Sequence, residues 1–253
     1  MSTKQFPIGI QLYTVRDACQ ADFKGTLKAI AAMGYDAVEF AFVYGGMQPQ
    51  ELAEFLKSLK LKTAGMHVTL DDIGNADSES YRYAAALNTP CITTSLAGEV
   101  AKDWVATVKK VDQAGQVARA KGIVFTYHNH APELALIPVA KGKTALDYMR
   151  ENTDPKAVQF ELDTYWIKKG GQDPVATILN FKGRAKQIHL KDMDPTDSSF
   201  AEVGTGLMDL PGIFKAAKAA GSEWVIVEQD TCKRPALESA KISIDNLKKA
   251  GLA

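Results

Sequence analysis

The chain is expected to fold as one (β/α)8 TIM barrel spanning residues 1–253, and three observations predict it. Its length of 253 residues suits a lone α/β barrel, for which about 250 residues is typical. Short apolar runs alternate with helix-periodic segments from one end of the sequence to the other. Side chains capable of chemistry gather at the C-terminal ends of those runs, where the loops of a barrel build its active site.

Taken in order, the runs read as strands at roughly Ile8–Tyr13, Ala37–Ala41, Thr63–His67, Cys91–Ser95, Ile123–Tyr127, Val158–Leu162, Ala185–Leu190 and Trp224–Val227. The segments between them carry helical spacing. Phe23, Leu27 and Ile30 open the series, and Leu52, Phe55, Leu56 and Leu59 follow i, i+3, i+4, i+7. Trp104, Val108, Val111 and Ala114 stripe the longest helix, and Ile213, Phe214 and Ala217 a later one led by the potential cap Asp209. Strands that are apolar throughout, in unbroken βαβα order, indicate a buried parallel sheet. A doubly wound open sheet is the alternative, but no Gly-x-Gly-x-x-Gly follows the first strand. No repeat, charge block or linker divides the chain, so one domain is expected.

Composition bounds the function. Lys plus Arg and Asp plus Glu both total 30, which argues against a nucleic-acid footprint. No run of about 18 apolar residues marks a membrane span and no leader is evident, so a cytoplasmic protein is expected. Cys19, Cys91 and Cys232 are few and odd in number, which suits a reducing compartment.

The chemistry lies at the strand ends. His128, Asp163, His189 and Glu228 each close a different predicted strand. Converging above a barrel, two imidazoles and two carboxylates would hold one divalent ion such as Mn, Zn, Co or Mg. A single histidine at a strand end is more often structural than ligating. Here all four histidines, His67, His128, His130 and His189, fall at or just beyond strand ends, which favours a metal site. Glu39, His67, His130 and Lys191 are candidates for proton transfer, with a rim salt bridge to Arg16 as the alternative role for Glu39. Trp166 is expected to wall a sugar ring and Asn129 to support the ligands. Gly204 and Gly206 are expected to let backbone approach the substrate.

Five short motifs in barrel order, Tyr127-His-Asn-His130, Leu162-Asp-Thr164, His189-Leu-Lys-Asp192, Gly204-Thr-Gly206 and Val227-Glu-Gln-Asp230, resemble the xylose isomerase-like TIM-barrel superfamily. That group includes sugar phosphate isomerases and epimerases, inosose dehydratases, keto-sugar lyases and family 2 AP endonucleases. The resemblance implies a metal held by Glu, Asp, His and Glu on the fifth to eighth strands. Asp163, His189 and Glu228 match, whereas His128 stands where many members have Glu. With one carboxylate fewer, the ion would be a stronger Lewis acid. The two-glutamate acid/base pair of family epimerases would be broken.

The resulting expectation is a divalent-metal-dependent isomerase or epimerase of a sugar, sugar phosphate or keto-sugar, acting by proton abstraction α to a carbonyl. The alternative is a lyase or dehydratase that continues to β-elimination, and the departure at His128 shifts weight toward it. An abasic-site endonuclease is disfavoured by the neutral charge and by Trp166, where nuclease-like members carry a further histidine. A sugar-binding barrel without catalysis is the remaining reading. The partner is a small carbohydrate, with no nucleic acid or membrane, and the sequence leaves monomer and homodimer open.

Overall fold

Eight parallel strands close on one another in the computed structural model, which describes residues 5–253. They are β1 (Ile8–Gln11), β2 (Ala37–Ala41), β3 (Lys62–His67), β4 (Cys91–Thr94), β5 (Val124–His128), β6 (Val158–Asp163), β7 (Ala185–Leu190) and β10 (Trp224–Val227). Neighbours in sequence pair in parallel, and β10 closes the ring between β7 and β1. The two remaining strands, β8 (Asp192–Met193) and β9 (Phe200–Ala201), form a small antiparallel hairpin in the loop after β7. Helices fill the connections; the longest, Trp104–Ala120, buries Trp104, Val108, Val111 and Ala114 and is capped by Asp103. Asp209 caps Leu210–Ala220 by accepting the Gly212 N–H. No helix among the described residues is long and apolar enough to cross a membrane.

Strand ends differ from expectation where side chains intervene. β1 stops at Gln11, not Tyr13, because the Gln11 side chain accepts the Tyr13 N–H at 3.1 Å and turns the chain into a single 3-10 turn, Leu12–Val15. β5 and β6 each run one residue further, so His128 and Asp163 sit within the sheet.

The strands are buried over most of their length, yet their two faces differ in chemistry. Val38, Phe40, Phe125, Tyr127, Phe160, Leu162, Ile188 and Leu190 belong to the large core shared with the helices. The opposite positions point into the barrel. Its floor is small and apolar, with Ala37, Ala64 and Ile226 in a separate cluster. A Cβ on Gly9 would lie 3.3 Å from Ala64 Cβ. Above that floor the lumen turns polar, with Gln11, Glu39, Thr126, Glu161, Gln187 and His189 all buried. The apolar run seen in each strand is therefore the helix-facing half of an alternating pattern.

Candidate active site

Strand periodicity assembles the site. Residues two apart on a strand share a face, so Thr126 and His128, Glu161 and Asp163, and Gln187 and His189 stack as successive layers inside the barrel. In β3 the same pairing joins Gly65 to His67. A Cβ on Gly65 would come within 2.2 Å of Glu39 Oε1, so glycine there makes room for that carboxylate.

The lower polar layer holds the imidazoles. Glu161 Oε1 lies 2.9 Å from His67 Nε2, 3.0 Å from His128 Nδ1 and 3.0 Å from His189 Nε2. Glu39 Oε2 accepts Gln11 Nε2 at 2.8 Å and lies 2.6 Å from His189 Nε2 and 3.4 Å from His67 Nε2. The upper layer faces the cavity. His189 Nδ1 is 2.8 Å from Glu228 Oε2, and His128 Nε2 is 3.7 Å from Asp163 Oδ2. Lys191 Nζ lies 2.7 Å from Glu228, 3.1 Å from Asp163 and 2.5 Å from Asp230.

These contacts set the charge states. Burial alone would lower the Lys191 pKa, but Asp163, Glu228 and Asp230 more than offset it and raise it. Burial likewise opposes charge on His67, yet Glu39 and Glu161 lift it to about 10. Burial holds His128 well below the ordinary histidine range. Burial and the Lys191 charge push His130 down to about 3. Burial raises Asp163 to about 6.

The four residues expected to bind metal do come together: single ligand atoms of His128, Asp163, His189 and Glu228 all lie within 4.8 Å of one another. The chain's residues fit a divalent ion. The set offers mixed nitrogen and oxygen donors, and Glu161 and Glu39 occupy the other nitrogens of His128 and His189, as outer carboxylates do for ligating imidazoles. Asp163 Oδ2 is buried and pairs with Lys191 Nζ at 3.1 Å without a well-aligned hydrogen bond, so it keeps lone pairs free for an ion.

Of the proton-transfer candidates, Lys191, His67 and His130 line a cavity of about 370 Å³ at the C-terminal mouth, together with Trp166. Glu39 is fully buried below it, held by Gln11 and His189, and makes no pair with Arg16. Arg16 instead donates to the carbonyls of Tyr13 and Asp230. The Trp166 ring packs on His130, centroids 5.2 Å apart. Asn129 accepts the Asp163 N–H at 3.0 Å and so ties the backbone of that candidate ligand. Gly204 and Gly206, expected to contact substrate, do not line this cavity. They donate their N–H groups to Asp192 Oδ2 at 2.9 and 3.1 Å, so the glycine loop serves to seat Asp192.

Sequence reasoning passed over Glu161 and Asp230. A glutamate flanked by Phe160 and Leu162 and two residues before a ligand could have been recognised from the strand period alone. Asp230 carried no such signal, because it lies beyond β10.

A family model described as xylose isomerase-like TIM barrel matches residues 27–250. The inosose dehydratase of Geobacillus thermodenitrificans (strain NG80-2) is 25% identical over 147 residues, covering 51% of this chain and 48% of that protein. The chain thus spans about half the length of such relatives in these matches. The inosose dehydratase of Lactiplantibacillus plantarum aligns more fully, 25% identical over 262 residues and covering 86% of this chain and 85% of its own. A sugar phosphate isomerase/epimerase from Parabacteroides distasonis ATCC 8503 superposes with a TM-score of 0.82 at 25% identity, covering 98% of this chain and 96% of that one.

Proposed function

The chain belongs to the xylose isomerase-like TIM-barrel family, and from that premise we propose that it is a metal-dependent lyase that dehydrates a small keto-sugar or inosose. The observation that carries the reading is an unlike pair on one cavity. Lys191 is held as an ammonium by three carboxylates, while His130 is kept neutral and has a buried Nδ1 with no protein partner.

His128, Asp163, His189 and Glu228 would hold the ion. When bound, it would polarise the substrate carbonyl and acidify the adjacent C–H. His130, held neutral and therefore a weak base, would take the proton α to the carbonyl only with that C–H acidified by the bound ion, and Trp166 beside it offers an apolar face to the ring. Lys191 then gives a proton to the departing β-hydroxyl, which leaves as water while the C=C bond forms. A proton donor opposite the base serves either outcome, and the similarity to inosose dehydratases, one of them aligned over 86% of this chain, favours elimination. Of the cavity's cations, Lys191 is already neutralised by Asp163, Glu228 and Asp230 and His67 by Glu39 and Glu161, which leaves Arg16 at the rim, so a substrate without phosphate fits best.

Isomerisation or epimerisation of the same substrates is the second reading, supported by the likeness to the Parabacteroides distasonis protein. Incubation with keto-sugars and inososes in D2O separates the two by product mass. Loss of the mass of one water supports elimination, whereas deuterium incorporation with the skeleton intact overturns it. Activity undiminished by a chelator would refute the metal requirement.

A further inference from the structure

We propose that the N-terminal mouth of the barrel binds a phosphate monoester carrying a planar aromatic ring, a nucleoside monophosphate in kind, at a site separate from the candidate active site. A cavity of about 670 Å³ opens there, between the C-terminal ends of helices Pro49–Ser58 and Glu79–Ala86 and the first residues of β3 and β10. These are the opposite ends of the strands that finish at His67 and Val227. Its occupant is therefore not the reacting substrate, and the site is independent of the reaction above.

Charge selects an anion. Lys57, Lys60 and Lys62 border the cavity, and Glu54 is the one acid among the residues that line it. All three lysines are exposed, and among the described residues none of their ammonium groups has a carboxylate partner. Three lysines against one glutamate leave a local excess of two positive charges in a chain whose net charge is zero.

Backbone geometry shows that one of these cations is kept at a cost. The Leu61 N–H donates to the Leu56 carbonyl at 3.0 Å and the Lys60 N–H to the Lys57 carbonyl at 3.1 Å, the Schellman closure of the helix. Its left-handed position is filled by Lys60, at φ 58°, where glycine would be unstrained. The helix end gives up stability, and the cavity rim gains an ammonium.

The inner wall supplies the remaining contacts. Thr63 borders the cavity, is 5% exposed, and has a buried hydroxyl with no hydrogen-bond partner. An unmet buried hydroxyl is unfavourable, and a phosphate oxygen seated there gives it an acceptor. Trp224 is half-buried, packs on the floor residues Ala37, Ala64 and Ile226, and borders the same cavity. With Leu56, Leu61 and Pro90 it offers apolar area to a planar ring, and stacking on tryptophan adds to the phosphate contacts.

Titration with adenosine monophosphate, read by tryptophan fluorescence and by calorimetry, tests the site, with adenosine and inorganic phosphate as comparison probes. Saturable binding of the nucleotide, about tenfold or more tighter than either fragment, is expected. Lys57→Ala/Lys62→Ala should weaken it about tenfold, because two charged contacts are lost. Asp163→Ala, at the other mouth, should leave it unchanged. Lys60→Gly is the sharpest variant, since it should raise the melting temperature and still bind the nucleotide several-fold more weakly. A lysine kept only to end the helix would give the first change without the second. No saturable binding, equal affinity for inorganic phosphate, or indifference to the lysine variants overturns the proposal. Loss of binding in Asp163→Ala with retention in the lysine variants puts the nucleotide in the other cavity and overturns it equally. The substituted lysines are exposed, so their variants are expected to fold, and circular dichroism checks this.

Discussion

Replacing Lys191 by Met removes an ammonium from the middle of three carboxylates while keeping most of the side-chain volume. The Lys191 side chain is 2% exposed and that of Asp163 0%, with Glu228 at 7%, so solvent screens this network little. Removing one partner of a buried ion pair costs about 3–5 kcal/mol, because the opposing charge stays buried. In a barrel of this size about 2–4 °C accompanies each kcal/mol, so the metal-free variant should melt roughly 6–20 °C lower. A divalent ion on Asp163 and Glu228 would supply the missing charge. Adding Mn2+, Co2+ or Zn2+ should therefore close more of the gap for the variant than it adds to the natural chain. Turnover should stay depressed by about 10²–10⁴-fold, the usual share of a positioned acid or base. Thermal denaturation with chelator and with metal, read beside a dehydration assay, measures all three. Equal melting temperatures in chelator would show that the carboxylates do not depend on Lys191, and full turnover would remove it from the reaction.

Three further changes probe the supporting structure. Asp192→Ala deletes the acceptor of the Gly204, Gly206, Met193 and Met208 N–H groups and should cost about 2–4 kcal/mol, since these are charge-assisted bonds. Amide exchange should rise across 202–209, and unchanged exchange would refute the seating role. Gly65→Ala places a Cβ 2.2 Å from Glu39 Oε1; overpacking of about 1–3 kcal/mol and reduced metal retention are expected, and a variant that matches the natural chain in both would contradict the tight fit. Trp166→Ala removes the wall beside His130 and should raise KM several-fold with a smaller change in kcat, the signature of lost ground-state binding. A change confined to kcat would instead place Trp166 in the chemical step.

The fold was legible because its signals are local. Ala37–Ala41, Ala185–Leu190 and Trp224–Val227 read correctly to the residue, each a short, largely apolar or alternating segment bounded by polar loops. The outer cluster was legible for a related reason. Topology carries strand C-termini to one mouth, so His128, Asp163, His189 and Glu228 meet whatever the helices do. What escaped depends on side-chain facing and on loops. Glu161 lies between Phe160 and Leu162, and a strand read as apolar on both faces of a buried sheet assigns it no task. Helix packing uses only one face; the lumen can then carry Glu39, Glu161 and Gln187 without disturbing the core. Gly204 and Gly206 illustrate a different limit. Glycines after a barrel strand signal close approach of backbone, and the approach here is to Asp192, a side chain fourteen or fewer positions away along the same loop. A loop glycine therefore identifies that something comes near, and only the geometry of its N–H decides between a ligand and the protein's own carboxylate.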